Sequence, residues 1–474
     1  MVATEQMAVL PGTTWLGHVG ALREDPLPLL TLGARLGEDI LRLRLGPVKA
    51  FVVYGPDAIR QVLVESPEKF GRNTRGSILL RRTLGVSTLT AEGDEWRWRR
   101  RLAQPSFKRD LLKPLDGPIV ALADRMAEQL LAETGPFDLA HVTSQVALDV
   151  ACAALFGADL GDDAAVVHRA LTEVLAGFIP FATHPIPNLD RLPTPNAIKF
   201  RAARQDLAGV VARIVARRRE RGDLGQDLLG AWLAGARPDG TPLTDVDLDA
   251  EGVTMLLAGH ETTANAMAFT FGLLARHPSV HRRLRAELAS VLGDRPATSA
   301  DLDQLPFLDA VVKEGLRLYP PAWILSRSTN EDVTIAGHPI PKGSFLYVPI
   351  YAVHRLPSLW DDPEGFDPER WLDGRAEVAR KAGAYLPFGF GQRRCVGEPL
   401  ALLEARLVLA QVVRKVHLEL SPGQSFEPEV SVTLRPRGGM WMTAKPVGAS
   451  VGATTVAAPA RTAAAPAGCP HHAK

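Results

Sequence analysis

The sequence has very little cysteine: Cys152, Cys395 and Cys469 are the three in 474 residues. An odd, widely spaced set supports neither a disulfide framework nor a zinc site. It suits a reducing cytoplasm, and each cysteine must be judged by its own surroundings. Net charge is almost absent as well. Lys and Arg number 54 against 53 Asp and Glu, for +1 at pH 7, so nothing points to a polyanionic partner such as nucleic acid. Near the N-terminus no apolar run is long enough to span a bilayer, because Pro11-Gly12, His18 and Arg23 interrupt it. Neither an export signal nor a membrane anchor is expected, and internal repeats are lacking.

What is present is apolar content at helical spacing. With 46% hydrophobic and 23% charged residues, the chain can bury a large core. No long polar linker divides it, so residues 1–446 read as a single domain. Apolar residues recur at three- and four-residue steps over 119–133, 142–155, 164–175, 202–219, 248–275, 280–292, 307–318 and 400–416. Strand signals lie over 40–45, 51–54, 333–340, 345–348 and 430–434. The expected fold class is mainly α with a smaller β-rich subdomain. Residues 447–474 turn to Ala, Pro, Gly and Thr and read as a flexible tail, although Cys469 and His471-His472 fall within it.

The densest chemistry lies in Pro387-Phe388-Gly389-Phe390-Gly391-Gln392-Arg393-Arg394-Cys395-Val396-Gly397, just before a helical run. Gly391 and Gly397 permit tight turns and close approach to a flat ligand. Cys395 precedes a helix N-terminus, where unpaired N–H groups favour thiolate over thiol. Arg393 supplies a cation for an anionic cofactor edge, and Phe388 can shield the sulfur from water. A dinucleotide loop fits poorly, since Arg394 occupies the place of the third glycine. An inert buried cysteine explains neither the glycines nor the arginine.

This segment resembles the cysteine-ligand loop of the cytochrome P450 family, Phe-x-x-Gly-x-Arg-x-Cys-x-Gly, at each fixed position. The resemblance implies a triangular-prism fold, with haem b between a long distal helix and the helix after the cysteine. It makes Cys395 the axial thiolate to iron and pairs Arg393 with a haem propionate. Such a thiolate pushes electron density onto the metal and favours O–O cleavage.

Ala258-Gly259-His260-Glu261-Thr262-Thr263 lies within the longest helical run. Ala258 and Thr262 share a face, Gly259 removes a side chain where something bulky must pass, and Thr262 can both accept and donate a hydrogen bond. The hexapeptide is similar to the family's distal oxygen-binding motif. By that likeness Thr262 steadies activated oxygen and Glu261 feeds it protons. His260 falls at the variable position and is not expected to be a ligand.

Glu314 and Arg317, three apart on one helix, combine with Phe366-Asp367-Pro368-Glu369-Arg370-Trp371 in the family's order. The resemblance implies a structural triad of Glu314, Arg317 and Arg370. In Asp94-Glu95-Trp96-Arg97-Trp98-Arg99-Arg100-Arg101, Trp96 and Arg100 share a face and resemble the family's propionate-binding pair. The remaining arginines are expected to point outward, where an acidic electron carrier could dock. Arg327 matches a further propionate-binding position. Pocket walls by the same resemblance come from 70–89, 175–181 and 255–262, with Met255 and Ala258 among them, and from Ala322, Trp323, Ile324 and Leu325.

The function implied is a cytoplasmic monooxygenase that uses O2 to hydroxylate or epoxidise a lipophilic terpenoid, fatty acid, steroid or polyketide. No flavin or iron–sulfur segment is visible, so electrons are expected from a ferredoxin and its NAD(P)H-dependent reductase. A haem-thiolate enzyme that uses peroxide or rearranges lipids has no use for the Glu261–Thr262 pair. A non-enzymatic haem sensor would call for an output module, and none is visible.

Overall fold

A computed structural model describes residues 7–12, 17–157, 160–161, 163–183 and 188–448. Cys469, His471 and His472, with nearly all of the expected tail, lie outside the described residues.

Helices dominate, and one organises the rest. Asp245–Arg276 runs for 32 residues, roughly 48 Å at 1.5 Å per residue. It starts where it does because Thr244 and Asp247 form a reciprocal capping box. A helix apolar on all sides must be buried on all sides, and this one packs against Leu139–Phe156, Pro195–Arg221, Pro306–Leu318 and Glu398–Lys415. The larger of two hydrophobic clusters surrounds these helices together with Asp116–Ala132. The smaller lies on a five-stranded sheet.

That sheet orders its strands Ile40–Leu45, Val48–Val53, Phe345–Val348, Leu325–Thr329 and Phe70–Gly71. Its first pair is a hairpin in the register Ile40↔Val53 to Leu45↔Val48. The next pairing, Ala50↔Phe345, is parallel. At the far edge Phe70↔Thr329 and Gly71↔Ser328 are antiparallel. This last pairing sets Arg72 beside Arg327, two residues remote in sequence.

The eight expected helices all occur, most of them extended by a turn at one or both ends. Two strand expectations need correction. Residues 333–340 form a hairpin of Val333–Ile335 and His338–Ile340, because Ala336 and Gly337 take φ of 47° and 79°. Residues 430–434 are likewise not one strand. Pro428–Val430 and Leu434–Pro436 pair antiparallel, and the Ser431 N–H donates to the Thr433 carbonyl at 2.9 Å across the bend. Leu139–Phe156 and Asp163–Ala182 are long and apolar enough to cross a membrane by length and composition. The first packs along the long helix and the second along Pro195–Arg221.

Candidate active site

The cysteine loop is shaped by its glycines. Gly389 and Gly391 adopt φ of 75° and 72°, a region costly for other residues. The Cys395 N–H donates to the Phe388 carbonyl at 2.8 Å, and Ala401 N–H to Gly397 O at 2.9 Å opens the helix Glu398–Lys415. At Gly391 a Cβ would collide with the Leu63 carbonyl. Gly391 therefore lets the loop pack on the turn Gln61–Glu65. At Gly397 a Cβ would stand 3.9 Å from Cys395 Sγ and 3.7 Å from Phe107. Phe388 is half-buried against the larger cluster.

Cys395 is exposed at the protein surface; the surrounding protein atoms push its thiol up, while the backbone N–H groups of Gly397 and Glu398 and the charge of Arg100 pull it down. A cation bound at the sulfur would favour the thiolate further.

Around Arg393 of this loop gathers a set of cations with little to balance them. The Arg393 guanidinium stacks 4.1 Å from the Trp96 ring centroid, and its Nη1 is buried without a hydrogen-bond partner. Burial, then the charges of Arg72, Arg327 and Arg100, push Arg393 down to about 9; Glu92 opposes them. Arg327, 9% exposed, falls to about 10 through burial and Arg72. Arginine does not surrender its proton in proteins, so these shifts measure how poorly the charge is compensated. Arg72 also has an orphaned Nε. Sequence reasoning missed Arg72, because only the pairing of Gly71 with Ser328 reveals its neighbour.

On the long helix, every residue from Ala250 to Leu274 is buried except Ala258, Gly259 and Thr262. Ala258 and Thr262 lie one turn apart, and the Thr262 hydroxyl donates to the Ala258 carbonyl at 2.7 Å. At Gly259, half-exposed beside Ala258, a Cβ would make ordinary contact with Ala151 at 3.4 Å and Leu155 at 3.7 Å. Glu261 is buried, and burial raises its carboxyl to about 7 despite the Thr433 hydroxyl and Arg435, which favour the charged form. His260 turns to the Ser144 hydroxyl at 2.6 Å, and burial holds it down at about 4.

Comparison with known proteins agrees with this arrangement. The Cytochrome P450 family model matches residues 10–443. The chain belongs to the cytochrome P450 family. It is 34% identical to cyclooctat-9-en-7-ol 5-monooxygenase of Streptomyces melanosporofaciens, over 87% of this chain and 89% of that protein. Cyclooctatin synthase from the same organism is 32% identical over 90% and 93%. Pentalenene oxygenase of Streptomyces avermitilis is 31% identical over 88% and 92%. The P450 is thus an oxidoreductase of the monooxygenase class.

Haem bound through a cysteine thiolate characterises this family. The residues present fit that group. A lone cysteine stands before a helix N-terminus, and the orphaned Arg393 Nη1 and under-compensated arginines call for an anionic partner.

Elsewhere in this P450 the expected residues separate into distinct settings. Glu314, Arg317 and Arg370 come together, fully buried. Glu314 accepts from Arg317 Nη2 at 2.8 Å, Arg317 Nε at 2.9 Å, Arg370 Nε at 3.0 Å and Trp371 Nε1 at 2.9 Å. Arg97 and Arg101 are exposed as expected, but Arg99 is not: it is 3% exposed and pairs with Asp247 at 2.7 Å and Glu251 at 3.1 Å. A helix wheel carries the missed signal, since Trp96, Arg99 and Ala103 form the buried stripe of Gly93–Ala103. Of the expected pocket walls, Ala322, Ile324 and Leu325 are half-buried, and Leu325 reaches toward Gly389. Met255 and Trp323 are buried, and the Trp323 indole donates to the Ser431 carbonyl at 3.1 Å.

Proposed function

We propose that this P450 inserts one oxygen atom of O2 into a terpenoid, hydroxylating or epoxidising it, while the second atom leaves as water. Bound haem b would supply the dioxygen chemistry. Cys395 would hold the iron, and Arg393, Arg327, Arg100 and Trp96 the propionates, with Arg72 beside them. The observation that carries this reading is the conjunction of the orphaned Arg393 Nη1 and its under-compensated arginine neighbours, in the loop of Cys395, with the accessible face of Ala258 and Thr262 in the otherwise buried stretch 250–274. Pentalenene and cyclooctat-9-en-7-ol, in the relatives' names, are olefinic compounds and favour the terpenoid among the lipophilic classes.

The chain's own residues have separable tasks. Thr262 presents a hydroxyl beside the reacting face, and Glu261, poised near neutrality, takes up and releases protons at its carboxyl. Phe388 shields the sulfur from water, and the apolar residues Ala322, Ile324 and Leu325 exclude water from the substrate side and orient the substrate. Two electrons would come from a cytoplasmic ferredoxin with its NAD(P)H-dependent reductase, docking near the exposed Arg97 and Arg101.

Replacing Thr262 with Ala tests the reading. NAD(P)H consumption should continue while product falls and hydrogen peroxide makes up the difference. Product formation unaltered in Thr262→Ala would overturn it.

A further inference from the structure

The loop 85–91, between the helices Arg75–Leu84 and Gly93–Ala103, is tied to the long helix along the row that carries the accessible residues. Positions four apart form a row on a helix, and Ala250, Thr254, Ala258 and Thr262 make one. The loop covers the first two. A Cβ on Gly85 would stand 2.9 Å from that of Ala250, and the Thr254 hydroxyl donates to Ser87 Oγ at 2.9 Å. Ala258 and Thr262 are left accessible. The cover thus ends where the open face begins, about 6 Å further along the axis at 1.5 Å per residue.

Glu251 closes this join. It is 1% exposed, and its two carboxylate oxygens accept from the Thr88 N–H at 2.9 and 3.1 Å. At about 100° per residue, Ala258 and Thr262 lie within about 20° of Glu251 around the helix. The same carboxylate accepts from Arg99 Nη1 at 3.1 Å, so one group joins the long helix, the loop and the helix of Trp96. Arg99 keeps Asp247 at 2.7 Å and Glu95 at 2.8 Å besides. The Thr88 N–H has no acceptor other than Glu251 among the described residues. Within itself the loop is stiff: Ser87 N–H donates to Thr90 Oγ1 at 2.9 Å, the Thr90 hydroxyl to the Gly85 carbonyl at 2.6 Å, and Ala91 N–H to the Ser87 carbonyl at 2.8 Å. Of its side chains Val86 is exposed and Leu89 half-buried, which gives the loop apolar surface beside the open face.

We propose that Glu251 is a positioning residue: through the Thr88 N–H it holds the loop 85–91 as a fixed wall beside Ala258 and Thr262, and so sets the affinity for ligands bulky enough to touch that wall. This rests on the reading of Ala258 and Thr262 as the reacting face. A wall that is not held must be ordered by the ligand, and the apparent affinity falls by the fraction of time the wall is in place.

The test titrates the haem-loaded ferric protein with imidazole and with clotrimazole, a far larger apolar azole, each followed by displacement of the haem band. Imidazole reaches the iron without touching the wall, whereas clotrimazole must lie against it. In Glu251→Met the Kd for clotrimazole should rise about tenfold, the scale of one hydrogen bond to a charged group, with that for imidazole unchanged. Glu251→Gln, which keeps an oxygen for the Thr88 N–H, should recover most of the loss. Thr254→Val leaves every buried charge paired, so it tests the wall even where Glu251→Met folds poorly, and it should weaken clotrimazole by less. Hydrogen exchange in peptides covering 85–91 should quicken in Glu251→Met and return toward the parent rate in Glu251→Gln. Quickened exchange with unchanged clotrimazole affinity overturns the proposal, because the loop would be held by Glu251 without forming the wall. Equal weakening of both azoles overturns it as well, since a general loosening of the fold gives that result. So does a loss that Glu251→Gln fails to recover, which would assign Glu251 to the charge of Arg99. A parent protein whose haem band imidazole does not displace would overturn the haem reading itself, and the proposal with it.

Discussion

Two groups of arginines in this P450 obey opposite rules. Arg317 is 0% exposed, and its five N–H donors are all used: Nε and Nη2 on Glu314, Nη1 on the carbonyls of His354 and Pro363, Nη2 also on Gly365. Arg370, 1% exposed, divides itself between Glu314 and the carbonyls of Asp361 and Asp362. Around Cys395, by contrast, Arg72, Arg327 and Arg393 repel one another, and Arg393 has a nitrogen with no partner. The fully bonded group is complete without a ligand. The under-bonded group carries charge that the polypeptide does not neutralise, as expected where an anionic ligand is to bind.

Removing Glu314 gives the largest effect expected. Glu314→Ala leaves Arg317 and Arg370 buried without their carboxylate, which costs about 3–5 kcal/mol. Denaturant unfolding of the apoprotein should show it, and a loss below about 1 kcal/mol would mean the backbone carbonyls alone suffice. The second break is the reverse in kind. Arg393→Met should leave the apoprotein as stable as the parent, or more stable by about 1 kcal/mol, since it relieves repulsion. Haem affinity should fall by about 10- to 100-fold through loss of charge-assisted hydrogen bonds. Transfer of haem to an acceptor protein would measure it. An apoprotein strongly destabilised by Arg393→Met would place Arg393 with the structural group.

These contrasts were only partly legible in the sequence. The cysteine loop was readable because its chemistry is local: glycines, arginine and cysteine at fixed spacing before a helical pattern. Helix positions were readable because burial repeats along a single element. Orientation across elements was not. Arg99 looked like one more surface charge in a basic run, and it turns inward because Asp247 and Glu251, about 150 residues away, wait on the long helix. Gly391 was expected to serve a tight turn and a close approach to a ligand, and the structure shows that it also makes room for the Leu63 carbonyl. A glycine declares that space is needed without saying for what. The stretch 430–434 has strand-forming residues throughout, but its ends pair with each other, so the bend at Ser431–Thr433 overrides local propensity. That bend is also what brings Thr433 to Asn265 on the long helix.

The finest test of the comparison concerns Glu92, an acid among the under-bonded arginines. Glu92 favours the charged forms of Arg72, Arg327 and Arg393, pairs with Arg81 at 3.5 Å, and is about one-third exposed. It is too exposed and too shared to neutralise the set as Glu314 neutralises Arg317 and Arg370. Glu92→Gln keeps an oxygen for the Arg72 backbone N–H but removes the charge. The apoprotein should lose about 1 kcal/mol or less. With less competition for the cations, haem should dissociate more slowly, by up to about fivefold, the kinetic equivalent of that energy. Faster haem loss in Glu92→Gln would mean that Glu92 serves mainly to orient the arginines, and the excess of positive charge would not be what holds the cofactor.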